Sequence, residues 1–129
     1  MRILTAILVA FSLAGTGTAQ KQKRPPDVQI VDTRAVRGTT RIAVDGKVKI
    51  TADKPLKGLV IVFDFRSPEK EVITSQKTVV QEDTAEPGSA GTYHAEMADD
   101  VRAVYYTIRA FDMHEKELRV ANPGPYVVE

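Results

Sequence analysis

The chain contains no cysteine. Disulfides, thiolate zinc sites, thiol nucleophiles and dithiol redox chemistry are therefore excluded. A diacylglycerol anchor on a cysteine beside a signal cut is excluded too. Whatever fold forms must be held by its core alone. A charge imbalance is also missing, since 18 Lys and Arg stand against 17 Asp and Glu in 129 residues. Mixed charges of near-zero sum give no electrostatic footprint for nucleic acid and no polybasic membrane patch. Beyond the N-terminal region no run is apolar and long enough to cross a bilayer, which takes about 20 residues. No segment shows helical periodicity. Ser67, Ser75 and Ser89 lack the G-x-S-x-G context of a nucleophile elbow. A phosphate-cradling glycine loop and a calcium loop are absent as well.

The chain opens MRILTAILVAFSLAGTGTAQ. One cation, Arg2, precedes an apolar run from Ile3 to Ala14, and small residues follow up to Ala19. This order predicts a secretory signal peptide over residues 1–19, cut after Ala19. Loss of Arg2 leaves 17 basic against 17 acidic residues, a formally neutral mature chain. Residues 20–27, with Lys21, Lys23 and Arg24 ahead of Pro25-Pro26, are expected to form a solvated, disordered leader. The folded domain is expected over 28–129. Export implies the periplasm or secretion, with no membrane span after cleavage.

The stretch IAVDGKVKI (Ile42–Ile50) decides the architecture. A two-residue Asp45-Gly46 turn would put Ile42 and Val44 on one sheet face with Lys47 and Lys49. Neither face would then be apolar. A single strand instead places Ile42, Val44, Gly46, Val48 and Ile50 on one side and Arg41, Asp45, Lys47 and Lys49 on the other. One long strand is expected, with Gly46 facing inward where a bulge, a backbone or a large side chain approaches.

The same period-two pattern predicts strands over Val28–Val36, Leu59–Phe65, Thr92–Met97 and Ala103–Phe111. Glu71–Gln81 reads as one bent or two short strands. Glu117–Val120 adds another, and Tyr126–Val128 an edge piece. Leu59, Ile61, Phe63 and Phe65 are expected inside, as are Tyr93, Ala95, Met97, Val104, Tyr106, Ile108 and Ala110. Turn clusters separate them, notably Thr51–Pro55, Ser67–Lys70, the loop Glu82–Gly91 and Asn122–Pro125. The expected fold class is all-β, an immunoglobulin-like antiparallel β-sandwich of about seven strands.

The run GKVKITADKPLKGLVIVFDF (Gly46–Phe65) resembles the FxLYD-type immunoglobulin-like domains of bacterial exported proteins. Their pattern is G-x-V-x-N, then K-P-L, then an apolar strand ending in F-x-L-Y-D. Gly46, Val48 and Lys54-Pro55-Leu56 match it. Phe63 takes the motif Phe and Phe65 its Leu, and Glu86-Pro87-Gly88 resembles the later P-G turn. Ile50 stands in place of Asn, and Arg66-Ser67 in place of Tyr-Asp. The resemblance implies a fold and supplies no catalytic or cofactor-binding residue.

Two histidines are present. His94 and Glu96 share an outward strand face, and with His114 and Glu115 they could form a metal site of weak spacing. Separate surface histidines explain them better, and no metal, cofactor or catalytic residue is assigned. Tyr106 is expected in the core with its hydroxyl on nearby backbone. Tyr105, Thr107 and Arg109 point outward together and form the candidate partner-binding face. The functional expectation is an exported, non-catalytic module for protein–protein binding or envelope assembly. Its partner would be an unknown protein of the cell envelope or the exterior. The alternatives are a small metal- or glycan-dependent hydrolase or sugar-binding domain, and a self-associating structural envelope protein.

Overall fold

A computed structural model describes residues 25–80 and 84–129. The expected signal peptide and most of the expected leader lie outside the described residues. Among the described residues eleven strands follow in order: β1 (Val28–Arg37), β2 (Arg41–Ile50), β3 (Leu56–Lys57), β4 (Val60–Arg66), β5 (Val72–Val79), β6 (Thr84–Ala85), β7 (Ala90–Ala98), β8 (Tyr105–Phe111), β9 (Glu117–Leu118), β10 (Val120–Ala121) and β11 (Tyr126–Val127). One sheet runs β10-β1-β2-β7; the other runs β11-β8-β4-β5, with β9 also on β8. β3 and β6 form a separate two-stranded ribbon. No helix occurs among the described residues. This is an immunoglobulin-like β-sandwich.

β2 runs straight through Asp45-Gly46, with Asp45 opposite Arg34 and His94, and Gly46 opposite Thr33 and Tyr93. The reason for glycine is steric. A Cβ on Gly46 would lie 2.3 Å from both the Asp32 carbonyl oxygen and the Tyr93 hydroxyl. The Tyr93 ring therefore fills the space a side chain would need, and its hydroxyl donates to the Asp32 carbonyl at 3.2 Å. A bulge on β1 between Ile30 and Asp32 lies across from this point. It shifts the inward phase of β1 from Val28 and Ile30 to Ala35 and leaves Val31 exposed.

The core is packed from both sheets. Leu59, Ile61, Phe63 and Phe65 are buried, as the period-two pattern of β4 requires. The Phe63 ring lies 5.5 Å from Tyr93 and 6.2 Å from Tyr106, joining the two sheets through aromatic contacts. The Tyr106 hydroxyl pairs with the side chain of Thr33 at 2.9 Å, rather than with backbone as expected. It thereby ties β8 to β1. In the corner before β8, Ala103 is fully buried and Val104 only partly, because the Ala103 N–H bonds back to the Asp100 carbonyl and turns the chain.

The C-terminal stretch departs from the expected single strand over Glu117–Val120. Glu117 and Leu118 pair with β8, whereas Val120 and Ala121 pair in parallel with β1. The chain crosses between the sheets at Arg119, whose carbonyl accepts the Asp27 and Val28 N–H groups. It then returns to β8 as β11, and Val128 bridges in parallel to Ala35. This strap alternates between the sheets and pairs with both ends of the free edges of β1 and β8, which shortens the exposed edge of each. It also makes the sandwich antiparallel except along β1. The last residues of the expected leader are tied to the sandwich: the Asp27 carbonyl accepts from Thr51 and Ala52 N–H, and the Pro26 carbonyl from the Thr51 hydroxyl. Glu71–Gln81 resolves into the single strand β5. The loop expected over Glu82–Gly91 contains β6, paired to β3.

Candidate functional site on the outer face of the second sheet

β4 lies between β5 and β8, so each of its outward side chains has a neighbour on both sides. Directly opposed residues share a face, which gives four cross-strand rows. They are Val79–Val60–Phe111, Lys77–Val62–Arg109, Ser75–Asp64–Thr107 and Val72–Arg66–Tyr105. The face thus grades from an apolar row, through a row with two cations, to a polar network.

The network centres on Asp64, an outward residue that is nevertheless 6% exposed. Arg109 approaches it side-on: Nε donates to Oδ2 at 2.7 Å and Nη2 to Oδ1 at 3.0 Å. Ser75 Oγ donates to Oδ1 at 2.6 Å. Burial alone would raise the Asp64 pKa. The hydrogen bonds from Arg109 and Ser75, with the charges of Arg109 and Arg66, outweigh it and hold the carboxyl below its ordinary value. Arg66 donates from Nε to Thr107 Oγ1 at 3.1 Å and from Nη1 to the Lys70 carbonyl at 2.9 Å. The Lys70 ammonium stands 5.6 Å from the Tyr105 ring centroid.

At the other end of the face a groove of about 510 Å³ opens. Val60 and Val62 form its floor, Lys77, Arg109 and Phe111 its sides, and Met113 with Asp112 and Glu115 its end. The Arg109 guanidinium carbon lies 5.5 Å from the Phe111 ring centroid, so the arginine is braced by an aromatic as well as a carboxylate.

Tyr105, Thr107 and Arg109 do share this outward face, since Tyr106, Ile108 and Ala110 alternate with them into the core. Only Arg109 lines the groove. Tyr105 and Thr107 lie toward the Arg66 end and are engaged by Lys70 and Arg66. Sequence reasoning missed Asp64, Val62, Lys77 and Phe111. Asp64 carried a usable signal: a carboxylate inside the most apolar strand needs a partner.

On the first sheet His94 lies between two acids. Its Nδ1 is 2.6 Å from Asp45 Oδ1 and its Nε2 is 3.0 Å from Glu96 Oε2. Only an imidazolium can donate to both carboxylates at once. Hydrogen bonds to Asp45 and Glu96 raise the His94 pKa, and Arg41 further anchors Glu96 at 2.9 Å. The two carboxylates occupy opposite sides of the ring, so a single ion bound at one nitrogen cannot engage both. His114 sits in the turn after β8, its N–H on Asp112 Oδ1. Among the described residues, no group of three or more His, Cys, Asp or Glu is arranged to hold a metal ion. The serine hydroxyls are occupied elsewhere: Ser67 accepts from Glu69 and Glu71 N–H, Ser75 donates to Asp64, and Ser89 donates to the Glu86 carbonyl.

No family model and no curated protein matches the chain. Solved structures do resemble it. A Bacteroides uniformis β-glucuronidase aligns at 12% identity and a TM-score of 0.54, over 74% of this chain and 14% of that one. A calcium-binding mutant of Bacteroides uniformis β-glucuronidase 2 aligns at 12% identity and 0.52, with the same coverage. IrmA from Escherichia coli aligns at 11% identity and 0.56, over 81% of this chain and 99% of that one. The chain thus spans about a seventh of the glucuronidases' length and nearly all of IrmA's. At these identities the likeness is one of fold alone, that of a β-sandwich.

Proposed function

We propose that this is an exported, non-catalytic module that binds a protein of the cell envelope or the exterior through the outer face of the β4, β5 and β8 sheet. The observation that carries the reading is the Asp64–Arg109 pair. A half-exposed arginine is held bidentately by a buried carboxylate and braced on Phe111, so the groove wall is fixed before any partner arrives. Preorganised arginine beside aromatic and aliphatic surface is typical of binding hot spots. The same pair takes Asp64 out of use as a general acid. With three hydrogen bonds and a lowered pKa, Asp64 stays ionised near neutral pH and has no proton to give. The N-terminal signal pattern supports export to the periplasm or beyond, and the Gly46–Phe65 run supports an FxLYD-type relationship.

The test is capture of envelope or secreted proteins on the immobilised protein. Val60→Asp combined with Lys77→Glu should abolish capture of any partner held by the wild type, with circular dichroism unchanged. Retention of that partner by the folded double variant would overturn the assignment of the face.

A further inference from the structure

Resting on that reading of the face, we infer that the groove takes an extended peptide segment carrying an acidic, an apolar and a basic side chain at alternate positions. The argument is the order of the rows. Successive outward rows of a strand are two residues apart, about 6.6–6.8 Å. An extended peptide presents same-side residues at that spacing. The first row offers Lys77 and Arg109 on either side of Val62. Lys77 has no ion pair among the described residues, and Arg109 spends Nε and Nη2 on Asp64 while Nη1 makes no hydrogen bond among the described residues. A carboxylate above Val62 can meet both cations.

The second row offers Val60 and Phe111, flanked by Val79 and Met113, which are 58% and 56% exposed. An aliphatic side chain of the ligand would cover these groups. Beyond Phe111 the charge reverses. Asp112 and Glu115 close the groove there, and Glu117 of β9, paired with Phe111 in the apolar row itself, adds negative charge at its side. A lysine or arginine two positions after the apolar residue meets this acidic end. A small anion satisfies only the first row and an uncharged strand only the second, so an acidic–apolar–basic segment matches the whole sequence of rows.

The experiment is a titration of the isotope-labelled protein, followed by amide and methyl NMR, with the capped peptide Ser-Glu-Ser-Leu-Ser-Lys-Ser. Shifts should cluster on Val60, Val62, Lys77 and Phe111. The peptide with Lys in place of its Glu should bind about five- to tenfold more weakly, the effect of one exposed ion pair exchanged for a like-charge contact. Lys77→Glu should reverse that preference, a readout that loss of folding cannot mimic. Equal binding of both peptides, shifts confined to other surfaces, or none at about millimolar peptide would overturn the inference. If it is overturned while Val60→Asp with Lys77→Glu still abolishes partner capture, the face stands and only its specificity falls. If the peptide binds as described while that variant keeps its partner, the specificity stands and the partner site lies elsewhere.

Discussion

Replacing Arg109 by methionine keeps an apolar stem against Phe111 and removes the charge that satisfies Asp64. The Asp64 side chain is 8% exposed and that of Arg109 is 43% exposed. Fully exposed pairs contribute about 0–1 kcal/mol, and breaking a fully buried pair costs about 3–5 kcal/mol. Solvent at the arginine end places this pair between those limits, so Arg109→Met should cost about 2 kcal/mol. For a domain near 100 residues that is a fall in Tm of roughly 8–16 °C. The dependence on pH gives a second, independent sign. The folded pKa of Asp64 lies below its ordinary value, so its contribution is present above the unfolded pKa and is lost as pH falls through the folded value. In the variant burial persists without the arginine, and the pKa rises. Protonation then relieves the variant, and its deficit should narrow as pH falls from 7 toward 4. Urea melts at the two pH values measure this, and Asp64→Asn combined with Arg109→Met should recover most of the loss. A deficit below about 0.5 kcal/mol that ignores pH, the behaviour of an ordinary surface change, would refute the reasoning.

Gly46→Ala places a methyl 2.3 Å from backbone and from a buried tyrosine hydroxyl, so denaturant melts should show a loss of about 1–3 kcal/mol, as for overpacking; a neutral result would mean the Tyr93 ring lies elsewhere. Phe63→Ala empties the contact between Tyr93 and Tyr106 and should cost about 3–5 kcal/mol, read as a collapse of the cooperative melt. His94 should titrate above the ordinary histidine value by NMR, and Asp45→Asn or Glu96→Gln should bring it down. Because its folded pKa is raised, its stabilisation is full below the unfolded pKa and fades as pH rises through the folded value; His94→Gln should remove that part of the pH profile.

Much of the sandwich was legible because one face of β2, β7 and β8 is buried and period two survives in their residues. The IAVDGKVKI stretch shows why the pattern outranks a local turn signal. A hairpin would have put lysines on the same face as Ile42 and Val44, and the strand instead uses Gly46 to admit Tyr93. The pattern failed where alternation breaks for reasons of backbone geometry. The bulge at Val31 reverses the phase of β1 with no distinctive residue to mark it. The strap from Glu117 to Val128 consists of two-residue pieces whose partners alternate between sheets, and so short a piece carries no period. In the site, Tyr105, Thr107 and Arg109 could be placed on one face from β8 alone. The groove could not, because Lys77, Val62 and Phe111 become neighbours only through the register of three strands. The commitment of Arg109 to Asp64 likewise needs two strands at once.

The partner surface is tested most directly by site-specific photo-crosslinking in the cell. Lys77→p-benzoylphenylalanine puts a probe on the groove wall, and Lys47→p-benzoylphenylalanine puts the same probe on the outer face of the opposite sheet, where Lys47 lies beside Asp45 and Thr92. Irradiation should yield a discrete adduct from position 77 and none from position 47. An adduct from position 47 with none from position 77 would contradict the assignment of the β4, β5 and β8 face.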